Sequence, residues 1–318
     1  MNFKIIATGK FIPERIVTND ELTQYIDTSD EWIKKRVGVH ERHICTTQSA
    51  ADLAYGAAIN ALENGSVKPA ELDGIICACI SSEYASPSIA CILAQRLGLS
   101  CMAYDVSAAC SGFIYLLETA AGFFARGKVK KLLIVGAERM SRMVDWRDRS
   151  TCVIFGDGAG AVLLEEGDSY KSSVFKTTGG CDVVCVPQFS GENSPFYKAD
   201  SPEPFIHMNG QETFIFAVNS VCSDIEYLLA ENNLSMEDIA YIVPHQANKR
   251  IIDYAAVRLK VSSEKFYLNI EKYGNTSSAS IPIALDEMNR NGMLKRGDLI
   301  IMSAFGSGMT SAACLIKW

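Results

Sequence analysis

Three residues in this chain have the type and setting for chemistry at a carbonyl: a cysteine, a histidine and an asparagine. Cys110 sits in Asp105-Val106-Ser107-Ala108-Ala109-Cys110-Ser111-Gly112, with small residues before it and a long apolar helical pattern after it. A helix N-terminus carries unpaired N–H groups and a partial positive charge, which favour a thiolate and can hold an oxyanion. The competing reading is a small buried hydrophobe, the fate expected for most of the eleven cysteines. His245, in Val243-Pro244-His245-Gln246-Ala247-Asn248, directly follows an apolar strand pattern. It therefore falls where α/β sites lie, outside the carboxyl end of a strand. Of the other histidines, His40 and His43 flank Glu41-Arg42 and read as surface residues, and His207 has no evident chemical role. Asn275, in Tyr273-Gly274-Asn275-Thr276, opens another helical pattern; taken alone it is an ordinary turn or cap residue.

Positioning these residues falls to short buried strands alternating with amphipathic helices. Gly74–Ile80, Lys131–Gly136, Ala240–Val243 and Asp298–Ser303 read as strands. Ser107–Arg126, Thr213–Glu231, Asn248–Leu259 and Ser278–Asn291 read as helices. The alternation predicts an α/β fold with largely buried sheets. The pattern also repeats. Leu72-Asp73-Gly74-Ile75-Ile76 is echoed 165 residues later by Glu237-Asp238-Ile239-Ala240-Tyr241, and Leu132–Val135 is echoed 167 residues later by Leu299–Met302. A turn of small residues opens a helix at Ser107–Cys110 and again at Thr276–Ala279, 169 residues on. Three segments in one order at nearly one spacing predict an internal duplication. Its halves would be residues 1–168, carrying the cysteine, and 169–318, carrying the histidine and asparagine, with the junction in Glu165–Lys171. Val186–Glu203, with three prolines and no period, reads as an irregular excursion.

Two patterns mislead. Gly156-Asp157-Gly158-Ala159-Gly160-Ala161 has dinucleotide-fingerprint spacing, but apolar Ala161–Leu164 runs straight on as a strand would, so it is rejected. Cys77/Cys79 and Cys181/Cys185 lack a second pair at metal-ligand spacing, so no metal site is expected.

Composition bounds the rest. The 318 residues are 48% hydrophobic and 21% charged, an ordinary globular composition long enough for about two domains. A net charge of −7 argues against nucleic-acid backbone binding as the main activity. No apolar run approaches the roughly 20 residues of a membrane helix, and the N-terminal apolar stretch stops at Lys10, short of a signal-peptide core. With an odd number of cysteines, these features predict a cytoplasmic chain with free thiols and no membrane association.

Taken together, five motifs in order resemble the β-ketoacyl-acyl-carrier-protein synthase III family of bacterial fatty-acid synthesis, within the thiolase superfamily. They are Thr28-Ser29-Asp30-Glu31-Trp32-Ile33 with Arg36-Val37-Gly38-Val39, Ala108-Ala109-Cys110-Ser111-Gly112-Phe113, Phe155–Ala161, His245-Gln246-Ala247-Asn248 and Gly274-Asn275-Thr276-Ser277. The resemblance implies a duplicated thiolase-like fold, five-layered α-β-α-β-α, and a homodimer. It implies a decarboxylative Claisen condensation of an acyl-CoA primer with malonyl-acyl carrier protein, and no cofactor. Cys110 would be the acylated nucleophile, with His245 and Asn275 donating to the malonyl thioester oxygen. The backbone N–H groups of Cys110 and of Ser307, in Phe305-Gly306-Ser307-Gly308, would hold the other oxyanion.

Carried over position by position, Trp32 and Arg149 resemble a pair that sandwiches the CoA adenine. Thr28, Arg36, Asn209 and Gly210 resemble further CoA contacts. Lys249, Arg250 and Arg258 resemble a basic face for the acidic carrier protein; the simpler reading is a solvated helix face, which Asp253 favours. Ser86 departs from the aromatic residue frequent at the end of the acyl pocket, Met309 and Ser311 replace aromatics after the glycine loop, and Glu83-Tyr84 lie near the pocket entrance. These departures bear on the primer. The alternatives are a same-fold enzyme of a secondary pathway, a catalytically dead partner subunit and a thiolase. Joint retention of Cys110, His245 and Asn275 argues against the dead subunit. A thiolase needs a second catalytic cysteine, for which only Cys222 and Cys314 lie beyond Cys185.

Overall fold

A computed structural model describes residues 2–187 and 203–318. Most of the Val186–Glu203 excursion lies outside these residues. The first sheet has the order β1 (Asn2–Phe11), β7 (Asp157–Gly167), β6 (Lys131–Arg139), β4 (Gly74–Ala78), β5 (Met102–Val106). The second has the order β8 (Tyr170–Thr177), β13 (Thr310–Lys317), β12 (Leu299–Gly306), β11 (Ile239–Pro244). In both, the first two pairings are antiparallel and the next is parallel, so the second sheet repeats β1-β7-β6-β4 strand for strand. An isolated bridge from Ile242 to Phe266 stands beyond β11, where β5 stands beyond β4. The segment rejected as a nucleotide fingerprint is β7, as its apolar continuation requires. Short ribbons pair β2 (Ile16–Thr18) with β3 (Glu41–His43), and β9 (Val184–Cys185) with β10 (His207–Met208).

The layers follow from which faces are apolar. Helices α5 (Gly112–Ala125) and α9 (Ser280–Arg290) lie between the sheets: Phe113, Leu117, Ile281 and Leu285 share one fully buried cluster with Ile76 and Leu132 of the first sheet and Val243 and Met302 of the second. On the outer face of the first sheet, α3 (Ala50–Gly65) and α4 (Ile89–Arg96) pack Leu53, Ala57 and Leu93 against Ile75, Leu133 and Leu163. On the outer face of the second, α6 (Gly210–Glu231) and α7 (Lys249–Leu259) pack Val221, Ile225 and Ile252 against Ile301 and Leu315. The result is a five-layered α-β-α-β-α arrangement. Short α1 (Asn19–Leu22), α2 (Asp30–Arg36) and α8 (Ile270–Tyr273) sit among the loops.

Local chemistry starts these helices. Ser49 and Asp52 form a reciprocal capping box on α3, and Ser88 caps α4 through the Cys91 N–H. Helix α6 begins three residues before the expected Thr213 because Asn209 caps it, accepting from the Glu212 N–H at 3.2 Å. By length and composition it is also apolar enough to cross a membrane, contrary to the expectation that no apolar run approaches that length. In the fold its apolar stripe faces the second sheet.

Both central helices open through the same device. Residues Ala109–Ser111 and Ser277–Ala279, 168 positions apart, form 3-10 turns immediately before α5 and α9. Ala109 and Ser277, the first residue of each, have positive φ values of 46° and 51°.

Candidate active site

β5 delivers the chain to the first of these turns, so Cys110 stands just ahead of α5 rather than within it. A left-handed conformation costs a residue with a Cβ roughly 1–2 kcal/mol. Here it turns the Cys110 side chain onto the wall of a cavity of about 300 Å³. The same cavity is lined by His245, Asn275, Phe305, Gly306 and Ser307. Residues from four separate stretches of sequence thus meet at one point.

The expectation of a thiolate is corrected. Burial pushes the Cys110 thiol up to about 12; the neighbouring Ser277 hydroxyl pulls it down and the Glu138 carboxyl adds to the rise. Desolvation outweighs the helix end, so the free protein holds a neutral thiol.

His245 follows β11, its backbone N–H donating to Ser303 at 2.8 Å. It is 1% exposed, and burial pushes its imidazole down to about 3, so the ring is neutral at physiological pH. Nδ1 lies 2.8 Å from the Ser280 hydroxyl, and Phe305 packs edge-on with centroids 5.5 Å apart. That leaves Nε2 for the cavity.

Asn275 is held by its backbone, donating to Ile154 at 2.9 Å and accepting from the Gly156 N–H at 3.1 Å. Gly274, at φ +64°, precedes it; a Cβ there would meet the Ile154 carbonyl at 2.8 Å. The side-chain Oδ1 accepts from the Ser277 N–H at 2.8 Å, so the amide NH2 is the end available to a ligand.

Glu138 and Ser280 were not singled out from the sequence. Glu138, near the end of β6, is fully buried and has no cation partner among the described residues. It accepts from Ser81 Oγ at 2.5 Å, Ser278 Oγ at 2.7 Å, the Ile80 N–H at 3.1 Å and Ser277 Oγ at 3.2 Å. Burial raises its pKa while the hydroxyl donors hold it down. An acid just after an apolar strand run was the available signal, and serine-rich Thr276–Ser280 the other.

The residues assigned to CoA divide into two sets. Trp32, on α2, and Gly210, opening α6, line the cavity. Trp32 also borders a second recess with Lys35, Arg36 and Arg250, a cationic patch adjoining the cavity. The Thr28 hydroxyl is buried without a hydrogen-bond partner among the described residues, a polar atom left for a ligand. The Arg149 guanidinium lies 4.8 Å from the Trp32 ring centroid and also donates to the Asp27 carbonyl at 2.8 Å. That separation leaves no room for a third planar group between them until Arg149 swings away. Asn209 is exposed, is committed to capping α6, and does not line the cavity.

On α7, Lys249 pairs with Asp253 at 2.7 Å and Arg258 donates to Asn219 at 2.6 Å. Arg250 instead stacks 5.4 Å over Phe214, its charge unpaired with any carboxylate among the described residues. Ser86 is exposed and stands apart from the cavity lining. Cys222 and Cys314 are fully buried in α6 and β13 respectively, away from that lining.

Comparison with known proteins identifies the family. Residues 104–182 match the family described as 3-oxoacyl-[acyl-carrier-protein (ACP)] synthase III, and residues 229–318 match its C-terminal counterpart. The β-ketoacyl-[acyl-carrier-protein] synthase III of Clostridium acetobutylicum is 44% identical over 319 residues, covering 99% of this chain and 98% of the relative. The crystal structure of 3-oxoacyl-[acyl-carrier-protein] synthase III from Aquifex aeolicus superposes with a TM-score of 0.92 at 41% identity, covering 99% of this chain and all of the other. The priming β-ketosynthase of the R1128 polyketide pathway superposes equally well at 32% identity, covering 99% and 96%. The full-length match and the cavity together place the chain in the β-ketoacyl-acyl-carrier-protein synthase III family of the thiolase superfamily.

Proposed function

We propose that this chain is an acyltransferase that starts fatty-acid synthesis by condensing an acyl-CoA primer with malonyl-acyl carrier protein. The observation that carries this reading is the convergence of Cys110, His245 and Asn275 on one cavity. Cys110 attacks the primer thioester, releases CoA and holds the acyl group. The N–H groups of Cys110 and Ser307 receive the oxyanion of that step. Malonyl-carrier protein then enters and loses CO2, and His245 and Asn275 donate to the thioester oxygen as it becomes an enolate oxygen. The enolate carbon attacks the acyl-cysteine carbonyl, the carbon–sulfur bond to Cys110 breaks, and a β-ketoacyl-carrier protein leaves while the released sulfur takes up a proton and returns to the thiol. A neutral imidazole beside an amide NH2 suits donation to an anion without trapping it as a permanent ion pair.

Trp32, Arg36, Arg149, Thr28 and Gly210 hold CoA in this reading, with Asn209 acting by capping the helix that presents Gly210. Arg250 receives the carrier protein, assisted by Lys249 and Arg258. The working form is a cytoplasmic homodimer of chains divided into halves 1–168 and 169–318. Support for pairing comes from β5, an edge strand of the first sheet whose Met102, Ala103, Tyr104 and Val106 are only half-buried. Support for the division comes from β7 closing the first sheet at Gly167 and β8 opening the second at Tyr170.

Intact-mass measurement after incubation with acetyl-, butyryl-, hexanoyl- and isobutyryl-CoA tests the first half-reaction. Cys110→Ala protein should gain no acyl mass; a stable adduct on it would remove Cys110 from its role. His245→Ala and Asn275→Ala should acylate yet lose about a hundredfold or more in malonyl decarboxylation.

A second reading, an enzyme priming a secondary pathway, draws on Ser86 and on the likeness to a polyketide priming ketosynthase. Ser86 stands apart from its own chain's cavity, and in this reading it reaches across the dimer to the end of the partner's acyl pocket, where a hydroxymethyl group in place of a ring leaves room for a longer or bulkier primer. Each extra buried methylene is worth about 0.8 kcal/mol, or about fourfold in binding. Ser86→Phe should therefore shift kcat/KM toward acetyl-CoA. Strong acetyl preference in the unaltered enzyme, unchanged by Ser86→Phe, would show that another group closes the pocket.

A further inference from the structure

Glu138 is a fully buried acid whose two oxygens face different halves of the chain. Oε2 accepts from the Ile80 N–H and the Ser81 hydroxyl, in the loop that follows β4. Oε1 accepts from the Ser277 and Ser278 hydroxyls, in the turn that precedes α9. The Cys79 thiol adds a longer contact to Oε2, at 3.8 Å. Three of the four close donors are fixed by their surroundings. The Ile80 amide can only donate. Ser81 Oγ already accepts the Arg139 N–H at 2.7 Å, and its own hydrogen goes to Glu138. Ser277 Oγ makes its hydrogen bond to Glu138. Ser278 alone has a choice, because the Ala78 carbonyl lies 3.0 Å from its hydroxyl. A carboxylate has about four lone-pair sites and so matches four donors, whereas a carboxamide accepts at one end only.

The turn held by Oε1 is the one that orients Asn275. Ser277 has a positive φ of 51°, a conformation that persists only where its surroundings impose it. Its backbone N–H donates to Asn275 Oδ1 at 2.8 Å, which leaves the amide NH2 for the cavity. The turn is also seated closely on β6, where a Cβ on Gly136 would stand 2.5 Å from the Ser278 carbonyl oxygen.

We propose that Glu138 is a positioning residue for Asn275: its carboxylate, carried by the first sheet, holds the Ser277–Ala279 turn of the second half so that the Asn275 amide presents its NH2 to the cavity. The proposal deepens the reading above and rests on the role given there to Asn275. Glu138 itself touches no substrate, being fully buried and absent from the cavity lining.

Glu138→Gln tests one oxygen by itself. The Ile80 N–H requires an acceptor, so the amide oxygen takes the Oε2 place and the NH2 faces the two serines. Ser278 can then turn its hydroxyl to the Ala78 carbonyl, whereas Ser277 loses its acceptor. Decarboxylation of malonyl-carrier protein should fall about tenfold, the order that small misplacements cost, while acylation of Cys110 by acyl-CoA should not fall. Ser277→Ala cuts the same contact from its other end and should give the same split. The double variant should lose about tenfold in all rather than about a hundredfold, since both changes act through one contact. Unchanged decarboxylation in folded Glu138→Gln, multiplying losses in the double variant, or equal losses in both half-reactions would each overturn the proposal. If Glu138→Gln does not fold, the rates of Ser277→Ala decide. In crystals of Glu138→Gln the Ser277 N–H should no longer hold Asn275 Oδ1; an unmoved amide overturns the proposal whatever the rates. Full decarboxylation by Asn275→Ala would instead overturn the role of Asn275, leaving the crystal structure to judge Glu138 by itself.

Discussion

A methyl group on Gly306 would stand 2.9 Å from the backbone nitrogen of Cys110 and 3.3 Å from its Cβ. The glycine at the end of β12 thus lets the second half of the chain press directly against Cys110. Because the nearest atom is backbone, no rotamer change relieves the contact. Gly306→Ala should move the Cys110 turn and cut acyl-enzyme formation by at least about tenfold, since small misplacements of reacting groups cost rates of that order. Stopped acylation reactions read by intact mass, with the thermal midpoint as a check on folding, decide the matter. Wild-type acylation in a folded Gly306→Ala protein would show that the contact is slack.

Thiol reactivity should report burial directly. With Cys110 pushed up to about 12 chiefly by desolvation, its alkylation by iodoacetamide should rise about tenfold per pH unit from pH 7 to 9.5 without a plateau. Glu138→Gln removes a nearby carboxylate and should speed alkylation at any one pH. A plateau below pH 9 in the unaltered protein would contradict the burial argument.

His245 should make the fold acid-sensitive. Its folded pKa, about 3, is below the unfolded value of about 6.5, so the unfolded chain binds the extra proton between these limits. Stability from this group is therefore full above about pH 6.5 and is lost as pH falls toward 3. The slope approaches about 1.4 kcal/mol per pH unit inside the window. Urea midpoints at pH 7.5, 6 and 5 should drop more steeply for the unaltered protein than for His245→Gln. Parallel curves would mean that the ring is solvated.

Carrier-protein docking should depend on one arginine more than on its neighbours. Lys249 is already paired with Asp253 and Arg258 is already bonded to Asn219, whereas Arg250 lies over Phe214. Arg250→Glu should raise KM for malonyl-carrier protein several-fold more than Lys249→Glu does, and added salt should shrink the difference. Equal, salt-independent effects of the two variants would mark this helix face as merely solvated.

Much of the site was legible because its residues end apolar runs. His245 follows the run Ile239–Val243, and Asn275 and Cys110 precede helical patterns, so strand and helix signals in the sequence mark all three. What stayed hidden depended on contacts between distant segments. The helix expected from Ser107 begins as a 3-10 turn at Ala109, because alanine gives no sign that its φ will be positive. β4 stops at Ala78 rather than Ile80, whose N–H donates to Glu138 instead of a strand neighbour. β6 runs on past Gly136 to Arg139, carrying Glu138 into the core. The thiolate expectation failed for a related reason: a helix end is visible in a sequence, and the protein atoms that crowd the thiol are not. Arg149 was paired with Trp32 by resemblance, and its guanidinium stands 4.8 Å from the Trp32 ring centroid.

The paired turns before α5 and α9 touch each other across the middle of the molecule. In the proposed reaction one carries the sulfur that receives the acyl group, and the other follows the asparagine assigned to the incoming enolate. The gap between the two reacting partners is consequently set by turn against turn, each anchored on a buried central helix. Other parts of the cavity, where the proposed reading seats the acyl chain and the CoA arm, are built from α2, α6 and the ribbon of β9 and β10. The molecule thus separates two tolerances. Its walls can be recut for a different primer while the distance over which the carbon–carbon bond forms stays the same.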